Sequence, residues 1–396
     1  MTQVPARQAQ RWLVLGLAWL ALATGAASAQ ASPPEELRPA DWELYRKSYI
    51  TADGRVVDNV NERVSHSEGQ GYGMLLAVTW GDAPTFELLW KWTREHLQVR
   101  QNDKLMAWRW VPATPTSTDG KISDINNAAD GDILIAWALY RASVRWERKE
   151  YFDQALLLAR DIRRKLLRRN GRAVFLLPAE TGFEKPDFTV LNLSYWVFPA
   201  IRDLGKLDPS PDWPDLYQTG LALLGKARFG DYGLPSDWLQ VSAKTVRPAE
   251  QYEPLFSYNA VRIPLYLWWA GETTTRLYEP YADFLADSLA KGRIPASLNL
   301  DTDEAGKDDI LIGMRRCLEV ATALKSGRTV PAAEPLPSGE SYYSASLLLL
   351  ANAAAHTKPP PSTLSQLPTD IQLGPGLPPG NRPQPPSTPF TPPVTR

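Results

Sequence analysis

One cysteine and three histidines in 396 residues are too few for most metal or disulfide chemistry. A lone thiol, Cys317, excludes an internal disulfide, and so sparse a supply of imidazole and thiolate argues against a transition-metal site. Cys317 sits in an apolar helical context, Met314-Arg315-Arg316-Cys317-Leu318, and is expected to be buried rather than nucleophilic. No glycine-rich loop of the phosphate-cradling kinds is present, and nothing calls for a cofactor. The formal net charge is −1, so there is no basic field to draw in nucleic acid or anionic lipid. The cationic run from Arg160 to Arg169 reads instead as the solvated face of a helix. Beyond the first thirty residues there is no stretch of 18 uninterrupted apolar residues.

The first thirty residues have the form of an export leader. Arg7 and Arg11 precede an apolar core, Trp12 to Ala23, and Ala27-Ser28-Ala29 has the small-x-small pattern of a cleavage site. The expectation is a cleaved signal peptide over 1–29, against a retained anchor, and a periplasmic or secreted mature protein. At the other end, residues 357–396 change character: 13 of the 35 prolines lie between Lys358 and Arg396, among Ser, Thr and Gly. Such a segment buries too little apolar surface to offset its ordering entropy and is read as a disordered tail. One globular domain is expected over 30–356, monomeric by default.

Within it, apolar residues recur at spacings of three and four over Ile133–Trp146, Phe152–Arg168, Leu216–Ala227, Arg262–Ala270, Leu277–Lys291, Asp309–Ser326 and Ser341–Ala355. Breaks fall at 205–214 and 230–237, where Gly, Pro and Asp cluster. The best strand signal is Arg172–Leu177. Repeated helix–loop–helix units point to an all-α toroid or barrel with short β segments. Periodicity alone leaves another large helical domain open.

Two acidic segments stand at expected helix starts. Ser65-His66-Ser67-Glu68-Gly69-Gln70-Gly71-Tyr72-Gly73-Met74 places Glu68 among glycines. Asn126-Asn127-Ala128-Ala129-Asp130-Gly131-Asp132 precedes a strongly apolar run. Acidic residues at a helix start often only complement the macrodipole or cap the helix. Asp132 is assigned that capping part, leaving Asp130 to face a cleft. With 15 Trp and 15 Tyr in the chain, paired carboxyls beside flat aromatic rings suit a sugar-processing site. Trp108 and Trp110, at a period of two, are expected to present both rings on one side of an extended segment. Tyr72, Asn127, Trp238 and Tyr258 are further sugar-contact candidates, with Asn126, Tyr195 and the Trp268-Trp269 pair considered beside them.

These segments resemble glycoside hydrolase family 8. The match runs through Ser67–Met74, Ala128-Ala129-Asp130-Gly131-Asp132, Asn192-Leu193-Ser194-Tyr195, Pro235-Ser236-Asp237-Trp238 and Ser257-Tyr258-Asn259-Ala260-Val261-Arg262, in the family's order. The members it resembles most are periplasmic endoglucanases encoded with bacterial cellulose synthases. The resemblance implies an (α/α)6 barrel, an open cleft for a β-1,4-glucan chain such as cellulose, and inversion at the anomeric carbon. It implies Glu68 as general acid, Asp130 as the carboxylate beside the distorted sugar, and Tyr195 and Arg262 as holders of the attacking water, with Asp237 among the substrate-contact candidates.

One position departs from the pattern. The family's base aspartate is replaced by Asn259, whose amide can orient a water by hydrogen bonds but cannot accept its proton at neutral pH. Three readings follow: another carboxylate serves, with Asp237, Glu250 and Glu253 nearest in sequence; the protein is a weak or silent β-glucan binder; or Asn259 is an inactivating substitution. Chitosan or xylan hydrolysis is the alternative substrate reading, and a functional link to a cellulose synthase complex the expected context.

Overall fold

The computed structural model of the protein describes residues 37–113, 119–332 and 334–357. The expected leader over 1–29 and the proline-rich segment after residue 357 lie outside the described residues. Eleven helices are described: α1 Pro39–Tyr49, α2 Ser67–Trp80, α3 Ala83–His96, α4 Ala129–Trp146, α5 Lys149–Leu166, α6 Phe198–Leu207, α7 Asp212–Lys226, α8 Ile263–Trp269, α9 Glu279–Ala290, α10 Ile312–Lys325 and α11 Tyr342–Thr357. None is long and apolar enough to cross a membrane.

The helices form two rings. The inner ring closes on itself: α2 packs on α4, α4 on α6, α6 on α8, α8 on α10, α10 on α11 and α11 on α2. Outside it, α1 lies against α2 and α11, α3 against α2, α5 against α4 and α6, α7 against α6, and α9 against α10. This is the (α/α)6 barrel. The two rings need different sequences, because a helix covered all round is apolar all round, and one with a wet face is striped. In α2, every residue from Gly69 to Thr79 is buried, and in α11 every residue from Tyr342 to Ala354 is. In the outer α5 only Tyr151, Ala155, Leu158, Ala159, Ile162 and Leu166 are buried, at spacings of three and four.

All seven periodic segments are helices in the fold. The stretch 205–214 is not one long break: α6 runs on to Leu207, α7 starts at Asp212, and only the residues between are loop. The Arg160–Arg169 run is less solvated than expected, because Arg163 and Arg169 pair with Asp208, Asp212 and Asp215, Lys165 with Glu180, and Arg168 with Glu184. Cys317 is fully buried in α10, and burial pushes its thiol up to about 12.

Four small antiparallel sheets join helix ends at the site. They are β1 Ser65–His66, β2 Arg109–Val111 and β3 Lys121–Asp124; β4 Leu167–Asn170 with β5 Ala173–Leu176; β6 Thr189–Leu191, β7 Leu239–Val241 and β8 Val246–Pro248; and β9 Leu255–Phe256 with β10 Leu298–Asn299. The β5 strand falls within the expected Arg172–Leu177 segment. The site segments adjoin these strands: β1 runs directly into α2, Asn126–Asp132 comes after β3, Asn192–Tyr195 follows β6, Pro235–Trp238 leads into β7, and Ser257–Arg262 follows β9.

Candidate active site

Glu68 and Asp130 come together because α2 and α4 meet at their N-termini with almost no space between them. A β-carbon on Gly131 would lie 2.2 Å from Ser67 Oγ, and one on Gly71 would lie 2.7 Å from Leu134 Cβ. Glycine at both points lets the two first turns touch. Each first turn carries its acid, Glu68 in α2 and Asp130 in α4, where the exposed N–H groups of a helix start favour negative charge. The entry to α2 is held by Ser67 N donating to Trp108 O (3.0 Å), and the strand segment is tied to the approach to α4 by Trp108 N donating to Asn126 O (2.8 Å).

Arg262 lies between the two acids and the opposite wall. Its Nη1 donates to Glu68 Oε2 at 2.5 Å and to the Tyr72 hydroxyl at 2.6 Å. Its Nη2 donates to Ser194 Oγ at 2.9 Å and to Asn259 Oδ1 at 3.2 Å, and stands 3.6 Å from Asp130 Oδ2. Arg262 and Asp130 side chains are only 2% and 3% exposed, whereas Glu68 keeps 19%. Of the three, Glu68 is therefore the one that opens to the cleft. Tyr342 adds its hydroxyl to Glu68 Oε1 at 3.3 Å.

Their surroundings push the two carboxyls in opposite directions. Burial raises Glu68, but the charges of Arg262 and His66 and hydrogen bonds from Asp130 and Arg262 outweigh it and hold the carboxyl below its ordinary range. Asp130 is driven well above its ordinary range, first by burial and then by the charge of Glu68, against the pull of Arg262. Asp130 Oδ1 accepts Gly131 N at 2.8 Å, while Oδ2 is buried without a full donor. A buried acceptor facing a second carboxylate is where a shared proton belongs. Tyr195, buried beside them, is held a neutral phenol, chiefly by burial.

Several expected sugar contacts have other occupations. Asn127 is fully buried, with Nδ2 donating to Asp132 Oδ2 (2.9 Å) and Oδ1 accepting Glu180 N (2.7 Å), so neither end is left for a sugar hydroxyl. Asp132 is not the N-cap, which is Ala128; its Oδ1 accepts Met106 N at 2.8 Å and braces the segment before β2. Burial pushes Asp132 up to about 7. Tyr72 is fully buried and spends its hydroxyl on Arg262 and Tyr266. Trp238 is stacked on both faces, by Tyr252 at 4.7 Å and Phe183 at 5.7 Å, with Tyr195 at its edge, so no face remains for a ring to stack on.

Trp108 and Trp110 do not act as a matched pair. The register shifts between Arg109 and Trp110, and a bulge of that kind re-aims a side chain. Trp108 is buried, with Nε1 donating to Asp124 Oδ2 at 2.7 Å. Trp110 packs edge-on against Trp92 and His96 of α3, with Arg55 over its ring. Tyr258 stays half-buried, edge-on to Tyr343, whose hydroxyl donates to the Tyr258 carbonyl.

Ser194, Tyr266, Tyr342 and Tyr343 were not singled out from the sequence. Ser194 stood inside the Asn192–Tyr195 segment and was legible there. Tyr342 and Tyr343 reach the site because α11 closes the inner ring beside α2, and Tyr266 arrives from α8 to bond Tyr72; no spacing along the chain announces either.

The comparisons with known proteins agree on one family. The profile described as glycosyl hydrolases family 8 matches residues 5–357. A protein described as a probable endoglucanase, from Novacetimonas hansenii, is 36% identical over 322 residues, covering 81% of this chain and 91% of that protein. An endoglucanase from Cellulomonas uda is 38% identical over 265 residues, covering 66% and 72%. Among solved structures, an endo-β-1,4-glucanase from Acetobacter xylinum superposes with a TM-score of 0.72 at 36% identity, covering 80% of this chain and 96% of that one. With Glu68, Asp130 and Arg262 assembled inside an (α/α)6 barrel, the chain belongs to family 8 of the glycosyl hydrolases.

Proposed function

We propose that the protein is an endo-acting β-1,4-glucanase that cleaves cellulose chains with inversion. The observation that carries this reading is the Glu68–Asp130 pair, two carboxyls sharing one proton across Arg262 with only Glu68 open to the cleft. Glu68 delivers the shared proton to the glycosidic oxygen. Both carboxylates are then ionised as the sugar gains oxocarbenium character, and Asp130 supplies negative charge beside it. Arg262 keeps that double charge tolerable in a buried setting. Tyr195, a neutral phenol, and Arg262 hold the attacking water. The names of the relatives, endoglucanases from several bacteria, support a β-glucan substrate.

The leader pattern before Gln30 supports export to the periplasm or the medium, after cleavage behind Ala29. The resemblance to enzymes encoded with cellulose synthases supports trimming of cellulose during its synthesis or export. The deciding experiment is reducing-end release from carboxymethyl cellulose and cellohexaose by the wild type and Glu68→Gln. Loss of about 100- to 10,000-fold on removing the acid is expected, and an unchanged rate rejects the assignment.

A second reading rests on Asn259. A cleft that has lost its base aspartate would bind a β-glucan and leave it whole. Calorimetric binding of cellohexaose with no product over long incubation supports that reading, and turnover by the wild type eliminates it.

A further inference from the structure

Inverting hydrolysis needs a group to receive the proton of the attacking water, and position 259 holds an amide. Of the carboxylates near it in sequence, Glu250 is exposed and paired with Arg247 at 2.7 Å, and Glu253 is exposed. Asp237 is placed differently. It is buried at the approach to β7, and its Oδ1 accepts the backbone N–H groups of Ser257 (3.1 Å) and Ala260 (2.7 Å). Those two bonds clamp it under the turn that carries Asn259.

Asn259 Oδ1 accepts from Arg262 Nη2 at 3.2 Å, and the rest of its side chain faces the Asp237 carboxylate. A guanidinium only donates and a carboxylate only accepts, so the orientation of the amide is forced. Its oxygen lies on the side of Arg262 Nη2, and its NH2 is left for the side of Asp237. The half-buried Asn259 thus joins the cleft to a carboxylate behind it.

We propose that Asp237 is the final acceptor of the water's proton, reached through the Asn259 amide. The proposal rests on the glucanase reading above. In the step, the water oxygen bonds to the anomeric carbon and gives one proton to Asn259 Oδ1, while an Nδ2–H proton passes to Asp237. The glycosidic bond breaks with its electron pair on the leaving oxygen, which takes the one proton of the Glu68–Asp130 pair through Glu68. The pair ends doubly ionised, Asp237 neutral and Asn259 an imidic acid, so one negative charge has moved from Asp237 to the pair. Reset returns the Asp237 proton to Nδ2, releases the Oδ1 proton to solvent and reprotonates the Glu68–Asp130 pair. Burial, opposed by the two backbone N–H groups and Arg262, holds Asp237 up at about 6. Arg262 is the cation facing it, and the same guanidinium binds Glu68 and stands against Asp130. Asp237 is therefore ionised at neutral pH yet basic enough to be a useful acceptor.

The test compares the wild type, Asp237→Asn, Asn259→Ala, Asn259→Asp and the double variant Asp237→Asn/Asn259→Asp. It measures kcat on cellohexaose against pH, and cellohexaose binding by calorimetry. Asp237→Asn retains an oxygen for both backbone N–H groups and is expected to fold and bind as the wild type does. Its kcat is expected to fall at least about 100-fold, with loss of the acid limb near pH 6. Asn259→Ala, which leaves the clamp untouched, should match that loss. Asn259→Asp supplies a direct base, so in that background the cost of Asp237→Asn should shrink at least tenfold. An equal cost in both backgrounds makes Asp237 a mere prop for the turn and overturns the proposal. A silent wild type with an active Asn259→Asp variant also overturns it, while leaving the glucanase reading of the cleft intact. Silence of all five proteins overturns both.

Discussion

Gly131 of α4 faces Ser67 of α2 at a distance that admits no side chain: an added β-carbon would stand 2.2 Å from the hydroxyl oxygen and 2.7 Å from the backbone nitrogen of Glu68. Gly131→Ala should therefore push the two first turns apart. Overpacking of this kind costs about 1–3 kcal/mol. The barrel should survive, with a lower melting temperature, while hydrolysis falls more steeply than substrate binding because the Glu68–Asp130 separation is what changes. Calorimetric unfolding and a kcat-against-KM comparison check both halves.

Arg262→Lys should fail to substitute. A lysine ammonium is a point charge, whereas the guanidinium reaches Glu68 and Tyr72 with one nitrogen and Ser194 and Asn259 with the other. Removing one partner of a buried ionic cluster costs about 3–5 kcal/mol. Denaturant unfolding should show a loss on that order for Arg262→Met and a smaller one for Arg262→Lys. Both should lack glucan hydrolysis.

Stability should rise on mild acidification. Asp130, Asp132 and Asp237 are all raised in the folded state, so between their unfolded values near 4 and their folded values the native chain binds more protons than the unfolded one. The linkage relation then makes stability fall as pH rises through that window. Asp103 and Glu180, which are lowered, act oppositely, and their contribution is lost as pH drops below about 4. The melting temperature is expected to be higher at pH 5.5 than at pH 8, with the difference reduced in Asp130→Asn. A flat profile counts against the shared proton.

Trp238→Ala should behave as a core mutation. With both ring faces covered by Tyr252 and Phe183, its loss should cost about 3–5 kcal/mol, as for other large buried aromatics. At a temperature where the variant is folded, cellohexaose affinity should change little. A large loss of affinity without loss of stability would restore Trp238 as a sugar platform.

Much of the helical frame and the two acids were legible in the chain. Helices such as α4 and α10 announce themselves because apolar residues recur at three and four, and such a stripe has nowhere to go except against another helix. Three were passed over despite having signals. Trp42, Tyr45 and Tyr49 form a stripe in α1. In α3, Asp82 caps a start marked by Pro84, accepting Thr85 N at 3.0 Å. In α6, Gly205 looked like a break, yet an inner-ring helix tolerates a glycine where Trp213 of α7 packs closely.

What the sequence by itself determined was local: helix periods, glycines at close approaches, and carboxyls placed at the starts of α2 and α4, since those are properties of neighbours along the chain. What only the tertiary structure decided was company and exposure. Arg262, 194 residues beyond Glu68, becomes its partner through ring closure alone. The same fold buries Tyr72, Asn127 and Trp238, three residues that looked fit to touch sugar, among partners of their own. Whether a polar or aromatic side chain meets ligand or core depends on which surfaces the fold covers, and that is settled by packing between elements rather than by the order of residues within them.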